Sequence, residues 1–176
     1  MPATEEIAEE LIRDNLARAL SDVFKTMFNR EIRLSTAENS AEAAAPEGRH
    51  VRKFSIPQVV GTVGFVGDAN GSVYLHLDQP FANLCTGHIL GLDESELHTI
   101  DDASVNDAIG ELTNMVVGGF KNGFSESGYC CKLTIPSILR GRDFHIESPG
   151  AARRHAYRFT CAHHQLMADI IIKFGE

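Results

Sequence analysis

Four residues of this chain combine chemical capacity with a regular spacing: Asp107, Glu111, Asn114 and Gly118 stand as Asp-x-x-x-Glu-x-x-Asn-x-x-x-Gly. Glu111 offers a carboxylate, and Asn114 an amide that both donates and accepts hydrogen bonds. Neither is a nucleophile at neutral pH. Together they can position a water and engage a cation, so a reaction centre built on them would draw its remaining parts from a partner. The same spacing on its own also fits a solvated helix face, since Glu and Asn are ordinary surface residues.

The element that must carry them is legible around them. Val105, Ile109, Leu112, Val116 and Phe120 recur at helical spacing, which predicts a helix over residues 103–124 with one side against a core. At about 100° per residue, the four polar or small positions fall within roughly 60° of one another, on a stripe about 160° from the apolar seam. They face out together. A glycine on such a face costs about 1 kcal/mol relative to alanine, and close approach by a partner would account for Gly118.

The pattern, with Lys121 and Asn122 beyond it, resembles the signature of the CheC/CheX/FliY chemotaxis phosphatases. A strand-like run over residues 132–141 containing Pro136 follows it, and a glycine-punctuated hairpin and a helix opening near Pro80 precede it. The layout from residue 5 to 176 is similar to that of members carrying one motif copy, and only an internal linker is unmatched. The resemblance implies a phosphatase acting on the phosphoaspartate of a CheY-like response regulator. In that reading Asn114 orients the attacking water, Glu111 pairs with the regulator's lysine, and Asp107 and Gly118 belong to the contact. It further implies that this chain binds no cofactor, that Mg²⁺ arrives with the phosphorylated regulator, and that the chain forms a homodimer through sheet edges or exchanged elements. The alternative is a non-catalytic adaptor using the same face to recognise a receiver domain or another signalling protein.

The remainder of the chain bounds these readings. With 176 residues, 43% apolar and 23% charged, it has the composition of a soluble globular protein, and a single domain over residues 1–176 is expected. Residues 35–50, rich in Ala, Glu, Ser and Asn, read as a surface loop or mobile excursion. A net charge of −8 argues against nucleic acid as a partner. The pairs Arg140 with Arg142 and Arg153 with Arg154 read as solvated loop charges. No apolar run approaches the ~20 residues of a membrane span, and the acidic start is unlike a signal peptide, so no membrane association and a cytoplasmic location are expected. Cys85, Cys130, Cys131 and Cys161 lack metal or redox spacing and read as reduced thiols. Cys161, His163 and His164 fall short of a four-ligand zinc set and sit at an expected polar turn.

Periodicity and punctuation place the other elements. A core-facing helix over residues 4–28, capped by Thr4, opens the chain. Strands follow at 51–54, 58–66 and 72–77, with a turn at 67–71. A helix from Pro80 ends at Gly91, and an acidic connector over 93–102 leads to the central helix, capped by Ser104. Strands are expected at 129–135, 143–147, 156–161 and 166–174. Gly61, Gly64 and Gly67 mark close backbone packing rather than a phosphate loop. The expected fold is α+β and CheC-like, an antiparallel sheet packed with two long helices whose outer faces are exposed. The helices form a weak repeat: Asn15 aligns with Asp107, Ala19 with Glu111, Leu20 with Leu112, Asp22 with Asn114 and Phe24 with Val116. The first helix lacks the Glu and Asn pair, so one active surface per chain is expected.

Overall fold

Alternation of apolar side chains along neighbouring strands builds one buried sheet face: Val59, Val63 and Phe65, then Val73, Leu75 and Leu77, then Leu166, Ala168, Ile170 and Ile172, all in one core. The computed structural model describes residues 2–35, 49–147 and 151–175, with side chains from residues 8–35, 53–147 and 151–175. In chain order the elements are α1 (Pro2–Phe28), β1 (Arg33–Leu34), β2 (Arg49–Gly67), β3 (Ala69–Asp78), α2 (Gln79–Leu90), a 3-10 turn (Glu94–Thr99), α3 (Asp102–Glu126), β4 (Cys131–Leu133), β5 (Ser137–Glu147), β6 (Arg153–Cys161) and β7 (His164–Phe174). All strand pairs are antiparallel. The sheet order is β1-β6-β7-β3-β2, with β4 and β5 both pairing the outer side of β2. This is the expected α+β architecture, and the three helices contribute Leu16, Leu20, Phe24, Phe81, Ile109, Leu112 and Phe120 to the same core. No helix among the described residues is long and apolar enough to cross a membrane.

Several boundaries differ from the sequence reading for local reasons. Thr4 lies inside α1, which opens at Pro2, a residue tolerated in a first helical turn because its missing N–H has no intrahelical partner there. Asp101, rather than Ser104, caps α3: its carboxylate accepts from the Ser104 N–H at 2.8 Å. The hydroxyl of Ser104, together with that backbone bond, holds the Asp101 carboxyl below its ordinary pKa. The expected strands at 51–54 and 58–66 are one element, β2, with a register shift between Lys53 and Gln58 that absorbs Pro57. In that stretch Phe54 lies against His76, with ring centroids 5.4 Å apart, and Phe144 of β5 stands 5.5 Å from the same imidazole. Of the expected loop at 35–50, residues 36–48 lie outside the described residues, and 49–50 begin β2. The helix from Pro80 ends as read, with Gly91 at a φ of 69° closing α2.

The arginine pairs are corrected outright. Arg154 and Arg140 are not loop charges. Arg154 sits in β6, is 8% exposed, and donates to Asp169 Oδ1 at 2.7 Å. Asp169 is itself fully buried, with His76 Nε2 3.0 Å from its other oxygen. These three residues come from adjacent strands on the sheet face opposite the helices, where a buried carboxylate must find cationic or donor partners. Period-two alternation puts Arg153 on the other face, where it is exposed at the end of β6.

Candidate functional site

α3 is clamped from below and from the side, and the clamps are small residues. Gly61 of β2 lies directly under Thr113; a Cβ there would overlap Thr113 Oγ1, whose hydroxyl donates to the Ile109 carbonyl at 2.6 Å. The strand glycine therefore sets how closely α3 approaches the sheet, as its placement in the sequence implied. On one flank Gly119 and Gly123 admit α1, where Ala19 Cβ would be 3.1 Å from a Cβ on Gly119 and Asn15 occupies the space beside Gly123. On the other flank Pro136 comes within 3.9 Å of a Cβ placed on Gly110.

The N-terminal end of α3 is tied to the sheet edge by Arg140. Its Nη2 donates to Asn106 Oδ1 at 2.7 Å and to the Asp102 carbonyl at 3.3 Å, while Nη1 donates to Gln79 Oε1 at 3.0 Å. One guanidinium thus joins β5, the start of α2 and the start of α3. Sequence reading missed this brace, because nothing in local composition distinguishes a bridging arginine from a solvated one; the fork of five donors is used only once the fold brings acceptors to it.

Against this support, the predicted seam is wholly buried: Val105, Ile109, Leu112, Val116 and Phe120 all belong to the core. Asp107, Glu111 and Asn114 are exposed, and Gly118 is half-buried with open space above it. Lys121, half-buried, and Asn122, exposed, continue along the same helix. Side chains three and four apart on a helix lie about 5–6 Å apart at Cβ, so α3 brings the four predicted residues onto one outward stripe. Among the described residues neither Glu111 nor Asn114 has a side-chain hydrogen bond or ion pair. A carboxylate and an amide are therefore displayed side by side on a rigid element, open to a macromolecular partner and unenclosed by any cleft of their own.

The corresponding stripe of α1 is different. Ala19 and Asn15 are buried at 4% and 7% exposure against α3, while Asp22 is open. Both long helices have an exposed outer face, as expected, but on α1 that face is not the stripe aligned with the motif of α3. The expected polar turn at 162–165 is confined to Ala162 and His163; Cys161 is buried, and His164, already in β7, stacks on Phe81 at 4.7 Å. Among the described residues no group of three or more His, Cys, Asp or Glu is arranged to hold a metal.

This arrangement of sheet and helices is that of the CheC-like proteins. A CheC-like superfamily protein from Shewanella sp. PV-4 is similar at a TM-score of 0.72 and 24% identity, covering 93% of this chain and 97% of that one. The chemotaxis protein CheX from Vibrio vulnificus matches at 0.71 and 23%, covering 92% and 96%. CheX of Borrelia burgdorferi, solved as a complex with CheY, BeF₃ and Mg²⁺, matches at 0.58 and 17%, covering 91% and 96%. Residues 59–160 match the family model described as chemotaxis phosphatase CheX, and the chain belongs to that family. No curated protein matches the chain.

Proposed function

We propose that this chain hydrolyses the phosphoaspartate of a CheY-like response regulator, using the Glu111 and Asn114 stripe of α3. The observation that carries the reading is the exposure of these two neighbouring side chains, uncommitted to any described residue, on a helix clamped by Gly61, Gly119, Gly123 and Arg140. The resemblance assigned them the same roles. Asn114 reaches the phosphoryl group; its amide oxygen accepts from a water and its NH₂ donates, holding the water opposite the bond to break. The water oxygen bonds to phosphorus as the bond between phosphorus and the aspartate oxygen breaks, returning the regulator's carboxylate and releasing inorganic phosphate with the water's proton lost to solvent. Glu111 pairs with the regulator's lysine and sets the register, Asp107 is a rim contact, and Gly118 leaves room for the regulator's surface. An acyl phosphate needs positioning and charge stabilisation more than covalent assistance.

Mg²⁺ in this scheme belongs to the regulator and supplies charge neutralisation there; no residue of this chain is assigned to it. The reaction is placed in the cytoplasm, and a homodimer is expected, which sedimentation at micromolar concentration checks.

Asn114→Asp tests the mechanism. The change keeps side-chain size, removes the amide donors and adds a negative charge facing the phosphoryl group. Loss of one positioned donor costs about 10² to 10³ in rate, so phosphoaspartate decay at constant Mg²⁺ should approach the regulator's own rate. A variant within about threefold of wild type, far inside that range, would refute the water-positioning role. Retained binding to the regulator without any acceleration by the wild-type protein would instead establish the adaptor.

A further inference from the structure

The stripe is too narrow to hold a protein substrate alone. From Asp107 to Gly118 a helix rises roughly 16 Å and is about 10–12 Å wide, whereas an ordinary interface buries about 800 Å² on each partner, a patch about 30 Å across. A receiver whose phosphoryl group reaches Asn114 must therefore overrun the flanks of α3. One flank is filled by α1. The other carries the link between β4 and β5, where Pro136 abuts Gly110, the residue before Glu111.

Next to Pro136 stands Ile135, 85% exposed and the most exposed large apolar side chain among the described residues. Its backbone is held on both sides. The Thr134 N–H donates to the Gly64 carbonyl at 2.8 Å, the Gly64 N–H donates to Thr134 Oγ1 at 2.9 Å, and Pro136 restricts the conformation of the residue before it. An isoleucine is thus held out in water on a fixed backbone, one residue from the contact with α3. The β4 ladder with β2 covers 131–133, the β5 ladder resumes at Ser137, and Gly64 bonds Thr134 between them, so Ile135 lies in the break between two strands.

We propose that Ile135 is a docking residue for the receiver domain, making an apolar contact with it while Glu111 and Asn114 face the phosphoryl group. This rests on the phosphatase reading above. Ile135 touches no reacting atom in this scheme, so its loss acts on affinity.

The test compares wild type, Ile135→Ser and Ile135→Leu against the CheY-like receivers of the source organism. Phosphorylated receiver is used for turnover and beryllofluoride-loaded receiver with Mg²⁺ for binding. Ile135→Ser should raise both KM and Kd about tenfold, equivalent to about 1.4 kcal/mol, with kcat within about twofold of wild type. Ile135→Leu should remain near wild type, and melting temperatures should agree, since an exposed side chain carries little folding energy. An Ile135→Ser variant that binds like an active wild type overturns the docking role and leaves the phosphatase reading standing. A wild-type protein that neither binds nor hydrolyses any receiver overturns both. A change of oligomeric state in Ile135→Ser at unchanged receiver affinity would assign the residue to a contact between copies, against the proposal.

Discussion

Replacing Gly118 with glutamine should make the protein more stable and a poorer partner for its regulator. Gly118 lies inside α3 with nothing within 4 Å of the position a Cβ would take, so the new side chain meets open space. The gain then follows from helix propensity alone: a glycine in a helix interior is about 1 kcal/mol worse than alanine and glutamine slightly poorer than alanine, giving a few tenths of a kcal/mol up to about 1. For a chain of this size that corresponds to a rise in Tm of about 1–4 °C. The neighbouring glycines provide the internal contrast. At Gly119 a Cβ would stand 3.1 Å from Ala19 Cβ, and at Gly123 it would overlap Asn15, so the same change there should destabilise by about 1–3 kcal/mol. If Gly118 is small because the receiver approaches it, the inserted side chain should raise KM and Kd about tenfold or more, the size expected of about 1.4 kcal/mol of misfit. Thermal melts and titration with beryllofluoride-loaded receiver measure both sides. A lowered Tm would refute the open-space argument; unchanged affinity would remove Gly118 from the contact.

Glu111→Ala should abolish or sharply weaken regulator-directed phosphatase activity while changing stability by less than about 0.5 kcal/mol, because the position is exposed; a stable variant with wild-type turnover would make Glu111 an ordinary surface residue. Asp169→Ala leaves Arg154 buried without its carboxylate and should cost about 3–5 kcal/mol in urea denaturation, a loss of less than about 1 counting against that cluster as a structural anchor. Burial lowers the pKa of His164, with His163 adding to the effect, and burial likewise lowers that of His155. The unfolded chain then binds these protons at higher pH than the folded one, so their stability contribution is complete above about pH 6.5 and is lost as pH falls below it. His164→Gln should flatten the decline in urea midpoint between about pH 7.5 and 5 relative to wild type, and an unchanged slope would exclude its share.

What could be read from sequence was what repeats at short range. The seam and stripe of α3 come from a single helical period, and Gly61 betrayed itself as a strand glycine with no turn to make, which the close approach of Thr113 explains. What could not be read depended on residues far apart in the chain. Arg154 looked like half of a surface pair because its buried partner stands fifteen residues later, yet the signal existed: Asp169 interrupts the run Leu166, Met167, Ala168 and Ile170 to Ile172, and an acid inside such a run demands a partner. β7 is buried on both sides, with Leu166, Ala168, Ile170 and Ile172 in the core and Met167, Asp169 and Ile171 buried on the other face, so the simple alternation expected of a half-exposed strand was absent. The brace from Arg140 to Asn106, Gln79 and Asp102 spans from 34 to 61 residues of chain and leaves no local trace.

The two long helices show why a repeat in sequence need not give two equal faces. α1 leans on α3 with Asn15 and Ala19, two positions of the stripe that in α3 faces outward. Asn15, the counterpart of Asp107, is folded back to donate to the Leu11 carbonyl at 2.9 Å and accepts from Arg18 Nη2 at 2.9 Å, beside Gly123. Ala19, the counterpart of Glu111, fills the notch opposite Gly119. A glutamate at that position would carry its charge into a helix contact with 4% exposure, where an unpaired carboxylate is strongly disfavoured. The missing pair in α1 is therefore a consequence of packing as much as of the residues present: the small side chains that bring the helices together occupy the positions a second copy of the motif would need. The same contact steadies α3. Under the proposed reaction, one helix of the repeat is buried in part so that the other can hold its Glu111 and Asn114 still.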